Sequence, residues 1–173
     1  MITVTERRVR RRPGENRERL IEAGLVEFGL SGYHGTATAR IAKRADVPQP
    51  HVYANFRTKQ ELFLACLELA AAGLPAPQSQ PVAPSPRGPA QGETATPLGG
   101  AADGGSAAAA RFVFQAIAAH RAAELSDTLT TRLSALRASW GSREFARVLE
   151  LGARSLLEST AIADSDTEDD ALN

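Results

Sequence analysis

From Asn16 to Leu30, apolar positions fall at Leu20, Ile21, Gly24, Leu25 and Phe28, the i, i+4, i+8 stripe of a half-buried helix. Asn16 suits the N-cap, and Ser31-Gly32 supplies the stop. A short helix is predicted over residues 39–45 with Thr38 as its cap, followed by a turn at Asp46-Val47-Pro48. Pro50 then opens another short helix to about Asn55, because a proline's missing N–H has no intrahelical partner in a first turn. Thr58-Lys59-Gln60-Glu61 reads as a capping box, and the longer helix after it carries Leu62, Phe63, Cys66, Leu69 and Ala70.

The pattern then stops. Residues 73–110 hold 7 of the 10 prolines and 7 of the 14 glycines, a composition too poor in apolar surface to offset chain entropy, so a flexible loop is expected over 75–106. Helical patterning returns at Ala107–His120 with Phe112, Val113, Phe114 and Ile117. Leu125, Leu129, Leu133, Leu136 and Trp140 follow as a narrow apolar seam. Gly141-Ser142 breaks and recaps the chain, and Phe145, Val148, Leu149, Gly152, Leu156 and Leu157 make a last stripe to about Ile162. No stretch alternates apolar and polar residues between hairpin turns, so the expected fold class is all-α. The ends differ from the middle: residues 1–15 read as a basic disordered arm and 164–173 as an acidic disordered tail.

Composition sharpens this picture. The 173 residues balance 20 basic against 20 acidic side chains. The balance is uneven along the chain: residues 1–60 carry 12 and 6, a net +6, and residues 61–173 carry 8 and 14, a net −6. Because screening acts over about 8 Å, the basic third can face phosphates while the rest faces water; a solubilising imbalance is the competing reading. No apolar run approaches the roughly 18 residues of a membrane span. The N-terminus lacks the charged-then-apolar order of a secretory signal, and the single Cys66 forms no internal disulfide framework, so a reducing cytoplasm is expected. His34, His51 and His120 have no partners at metal-ligand spacing, Cys66 lies on an apolar face, and no nucleophile–base–acid set is present, which argues against an enzyme and against cofactors.

Two short helices joined by a tight turn are the geometry of a helix-turn-helix. Ala42 is small where the helices cross, Asp46 stands where the turn wants positive φ, and Val52 plugs the second helix into a core with Ile41, Val47 and Phe56. That helix projects Gln49, Pro50, His51, Tyr53, Ala54 and Asn55, a polar, aromatic and uncharged face suited to base edges and phosphate oxygens. Tyr53 as a core aromatic is the alternative, although its neighbour Phe56 fits an interior better.

Over Ile21–Leu69 the sequence resembles the DNA-binding domain of the TetR/AcrR family of transcriptional regulators. The resemblance rests on Thr38-Ala39-Arg40-Ile41-Ala42-Lys43-Arg44-Ala45-Asp46-Val47 and Val52-Tyr53-Ala54-Asn55-Phe56-Arg57-Thr58-Lys59-Gln60-Glu61-Leu62. It implies a three-helix DNA-binding domain over residues 16–60 and a helical regulatory and dimerisation domain over 61–163. Tyr53 and Lys59 match family phosphate-contacting positions, Thr38 the helix-capping residue beside the DNA backbone, and Gln49, Pro50, His51 and Asn55 the variable face that meets bases. Asp46 replaces the glycine common at the turn, and Pro50 a more usual small residue. Arg10, Arg11 and Arg12 read either as solubilising disorder or as an arm along phosphates.

By the same resemblance the last two helices form a four-helix interface with a second copy, which would carry two recognition helices to successive major grooves of double-stranded DNA. The family's usual continuation is helices that wall an effector pocket; here the Pro/Gly-rich segment takes that place, so the C-terminal domain reads as shortened and a small-molecule effector is not expected. The expected function is a homodimeric repressor on a palindromic operator. The alternative is a truncated regulator that dimerises without specific DNA binding.

Overall fold

The computed structural model describes residues 12, 14–74 and 103–168. The expectations for Arg10 and Arg11, for most of the Pro/Gly-rich loop and for the last five residues lie outside the described residues. Six helices follow one another: α1 (Glu15–Gly35), α2 (Thr38–Arg44), α3 (Gln49–Asn55), α4 (Lys59–Gly73), α5 (Asp103–Ala119) and α6 (Ser126–Glu168). The described residues contain no strand, in line with the all-α expectation.

Local chemistry sets several boundaries differently from the sequence pattern. Gly14, at φ 88°, is the N-cap of α1 in place of Asn16; a left-handed backbone there suits glycine. The break expected at Gly32 is real (φ 69°, ψ 177°), but a last helical turn follows it to Gly35. The buried Thr36 holds this bend: its hydroxyl lies 2.7 Å from the Gly32 carbonyl and 3.0 Å from that of Glu27, and donates to this pair of acceptors. Thr38 does not cap α2; Ala37 occupies the N-cap and Thr38 is already helical. In α3, Pro48 is the N-cap and Pro50 falls one position later than expected, still within the turn that needs no N–H partner. The box at α4 forms, with Thr58 Oγ1 accepting from the Glu61 amide at 3.0 Å, while the Glu61 carboxylate accepts from the Arg57 amide at 2.9 Å, one residue before the cap.

In the second half, α5 begins at Asp103, inside the span expected to be loop, because the alanine run 107–110 is strong enough to carry the helix back across Gly104 and Gly105. Gly141 interrupts α6 at φ 78°, ψ 156°, as its sequence position foretold, and the helix then runs through residues 164–168, which the charge pattern assigned to a tail.

An aromatic group joins the two halves. Phe63 of α4 meets Phe28 of α1 edge-on at 5.0 Å and Phe112 of α5 at 4.8 Å, with Tyr33 at 5.2 Å on its other side. Phe28, Phe63 and Phe112 are fully buried. Small residues permit the close crossings. A Cβ on Gly24 would stand 2.8 Å from Cys66 Sγ of α4, and one on Gly152 would stand 2.3 Å from the Ala110 carbonyl oxygen of α5. Cys66 is fully buried, its thiol donates to the Ile21 carbonyl at 3.3 Å, and burial pushes its pKa far up, so it is a packing residue and no nucleophile.

Candidate nucleic-acid interface

A seven-residue helix is too short to hold itself together in water, so α3 depends on what it buries. Val52 and the following Phe56 are 1% exposed, against Ile41 (0%), Ala42 (3%) and Val47 (5%). Val52, Phe56, Ile41 and Val47 each contribute about 1.5–3 kcal/mol on burial. The turn between α2 and α3 closes by hydrogen bonds from the Ala45 amide to the Ile41 carbonyl (2.9 Å) and from the Val47 amide to the Ala42 carbonyl (3.0 Å). Asp46 takes φ 51°, a conformation that Asp tolerates better than most residues; the turn has the backbone that the sequence predicted.

A second restraint was not read from the sequence. Glu27 of α1 is buried, and its carboxylate pairs with two arginines of α2: Arg40 at 2.8 Å and Arg44 at 2.6 Å. The signal was present, since Glu27 lies next to Phe28 within the apolar stripe of α1 and Arg40 and Arg44 stand four apart on one face. A buried carboxylate gains little net energy from pairing, but it fixes direction, and here it fixes how α2 sits on α1.

The outward face is built on this frame. Gln49, Pro50, His51 and Ala54 are exposed, and Tyr53 is 56% exposed, which removes the core reading of that aromatic. Tyr53 and Thr38 meet through their hydroxyls at 3.1 Å, which brings a phosphate-contacting candidate of α3 together with the expected capping residue of α2. His51 Nδ1 lies 3.3 Å from Asn16 Nδ2, so its ring leans toward the start of α1. Asn55 is half-buried and its amide donates to the His51 carbonyl at 2.7 Å, turned along its own helix. Lys59 is half-buried with Nζ 4.8 Å above the Tyr33 ring; burial lowers its pKa and the carboxylate of Glu124 partly opposes that shift. Arg12 is exposed ahead of α1, its backbone amide donating to Glu15 Oε2 at 3.0 Å.

Along the sequence, the stretch that carries this face is basic. Between residues 28 and 60 the one acidic residue is Asp46, against Arg40, Lys43, Arg44, Arg57 and Lys59. Among the described residues no group of three His, Cys, Asp or Glu side chains could hold a metal ion, and no helix is long and apolar enough to cross a membrane. An open groove of about 440 Å³ beside α6 is lined by Glu144, Arg147, Glu150 and Arg154 along with Leu74, Ser106, Val148 and Leu151.

Residues 20–66 match the family of bacterial regulatory proteins called the tetR family. An uncharacterized HTH-type transcriptional regulator of Bacillus subtilis (strain 168), YdgC, is 37% identical over 49 residues, which are 28% of this chain and 25% of that protein. The chain thus matches about a quarter of that relative's length. A TetR-family regulator of Streptomyces coelicolor A3, known from a crystal structure, aligns over 90% of this chain and 80% of its own at 24% identity. The TM-score is 0.32. The tetR-family match spans α1 to the first half of α4 and includes all seven candidate contact residues from Thr38 to Lys59.

Proposed function

We propose that the protein is a DNA-binding transcriptional regulator, a repressor that holds a palindromic operator as a homodimer. The observation that carries this reading is the exposed rim of α3, borne on a tetR-family helix-turn-helix whose opposite side is fully packed. Tyr53 and Thr38 contact one phosphate together, and Lys59 a second. Gln49 and His51 meet base edges, Pro50 stiffens the start of the reading helix, and Asn55 joins them when its amide leaves the His51 carbonyl. Arg10, Arg11 and Arg12 add a salt-sensitive attraction that does not depend on sequence. A second copy packs along α6, where Leu157 is 73% exposed. The protein works in the cytoplasm, beside the chromosome, without catalysis.

Selection of bound fragments from the source genome by the purified chain tests this, repeated over a salt series. Enrichment of one palindrome, with affinity falling steeply as salt rises, is the expected result. A dimer that enriches no sequence even at low salt would overturn it and leave the dimerising module instead.

A further inference from the structure

The first turn of α1 is docked on α3 by two contacts. The Arg17 guanidinium carbon lies 5.0 Å above the centre of the Phe56 ring, which closes α3. One residue earlier, Asn16 Nδ2 lies 3.3 Å from Nδ1 of His51, on the exposed rim of α3. With Gly14 as the N-cap, Asn16 stands inside this first turn rather than ahead of it. His51 is held from its backbone as well. Its amide donates to the Pro48 carbonyl at 2.9 Å, and its carbonyl accepts from the Asn55 side chain at 2.7 Å. The contact with Asn16 also fixes the ring's proton. A side-chain amide nitrogen carries two N–H groups and no acceptor, so Asn16 donates and the ring nitrogen accepts. His51 Nδ1 then holds no proton, and the single ring proton sits on Nε2.

We propose that Asn16 is a positioning residue for base readout: it holds His51 in the Nε2–H form, so that His51 recognises a guanine through N7. The inference rests on the DNA-binding reading above and assigns a base to it. A histidine held by nothing is ambiguous. With a proton on Nε2 it suits an acceptor; without one it suits the amino group of adenine or cytosine. The Asn16 amide removes the second option. In the major groove guanine sets two acceptors side by side, N7 and O6, whereas adenine sets an amino group beside its N7, which opposes an N–H donor. A ring already restrained through side chain and backbone also loses less freedom on binding.

The test selects from a library of duplexes about three helical turns long, randomised at the centre, with the full-length parent chain, Asn16→Leu, His51→Ala and the double variant. Leucine keeps the size of asparagine and favours helix, so Asn16→Leu should fold. The parent should select a guanine that His51→Ala no longer selects. Replacing that guanine by 7-deazaguanine, which lacks the N7 acceptor, should weaken parent binding about threefold to tenfold. Asn16→Leu should lose about as much on the selected duplex and nothing on mixed-sequence DNA; in the His51→Ala background it should change neither. A His51-dependent position that holds an A·T pair, or a guanine whose N7 is dispensable, overturns the proposal. So does an Asn16→Leu loss that persists without His51 or is as large on mixed-sequence DNA, which would reduce Asn16 to a structural prop. If the parent enriches no sequence, the DNA-binding reading fails first and takes this inference with it; if it enriches one and either single substitution leaves that preference intact, only the inference fails.

Discussion

The two ends of the molecule manage their surfaces in opposite ways. Around α2 and α3, Ile41, Ala42, Val47, Val52 and Phe56 are buried, and the exterior is mostly polar or basic. Along α6, Leu129 is fully buried, but Leu133, Leu136 and Leu149 are only half-covered and Leu157 stands 73% exposed. The N-terminal region has therefore completed its core and turned its polar rim outward, as a surface for a polar partner does. The C-terminal helix leaves apolar area uncovered, as a surface for an apolar partner does. Between them, Phe63 ties α1, α4 and α5 into one aromatic group.

Substitutions can separate the two regions or show that they are one. The largest effect is expected at the junction. Phe63→Ala should cost about 3–5 kcal/mol and lower the stability of both regions in a single denaturant transition; two separate transitions would show that the halves fold independently. Gly152→Ala should act on the C-terminal side alone. Its new Cβ would fall 2.3 Å from the Ala110 carbonyl oxygen, so α5 and α6 must move apart, at about 1–3 kcal/mol. Thermal unfolding should report that loss while DNA affinity per folded molecule stays unchanged. Glu27→Gln acts on the other side. Since Arg40 and Arg44 are half exposed and can return to water, the loss of stability should be only about 1–2 kcal/mol. DNA affinity should nonetheless fall, because α2 loses the partner that orients it; an affinity equal to that of the parent chain would remove this role from Glu27.

The smallest effect is one of pH. Tyr33 has its pKa raised by burial and then by Glu124, so the folded state holds the phenol proton more tightly than the unfolded chain does. Its contribution to stability is complete below the ordinary tyrosine range, about 10, and is lost as pH rises through the higher folded value. Stability measured from neutral to strongly alkaline pH should fall less steeply in Tyr33→Phe than in the parent chain, and parallel curves would exclude the effect.

Much of the helix-turn-helix fold was legible because its chemistry is local. The positive φ at Asp46, the burial of Val52 and Phe56 and the Thr58 cap each depend on residues within a few positions of one another. What escaped depends on distant partners. Thr38 has the side chain of a cap, but Tyr53, fifteen residues on, engages its hydroxyl. The carboxylate of Glu27 and the contact between Gln60 and Glu124 have meaning only once α1 lies on α2 and the α5–α6 link lies on α4. Helix ends in the second half were misread for a different reason: composition marks where a helix is weakly favoured, whereas the cooperative helix runs on through Gly104, Gly105 and the acidic residues near 168.

The central claim is that the rim of α3 meets DNA. Backbone hydrogen exchange of the full chain, with and without a saturating duplex at low salt, tests it most directly. The account predicts slower exchange concentrated in α2, α3 and the first turn of α4, with α6 unchanged. Protection confined to α6, or no protection at α3 in a complex that demonstrably forms, would contradict it.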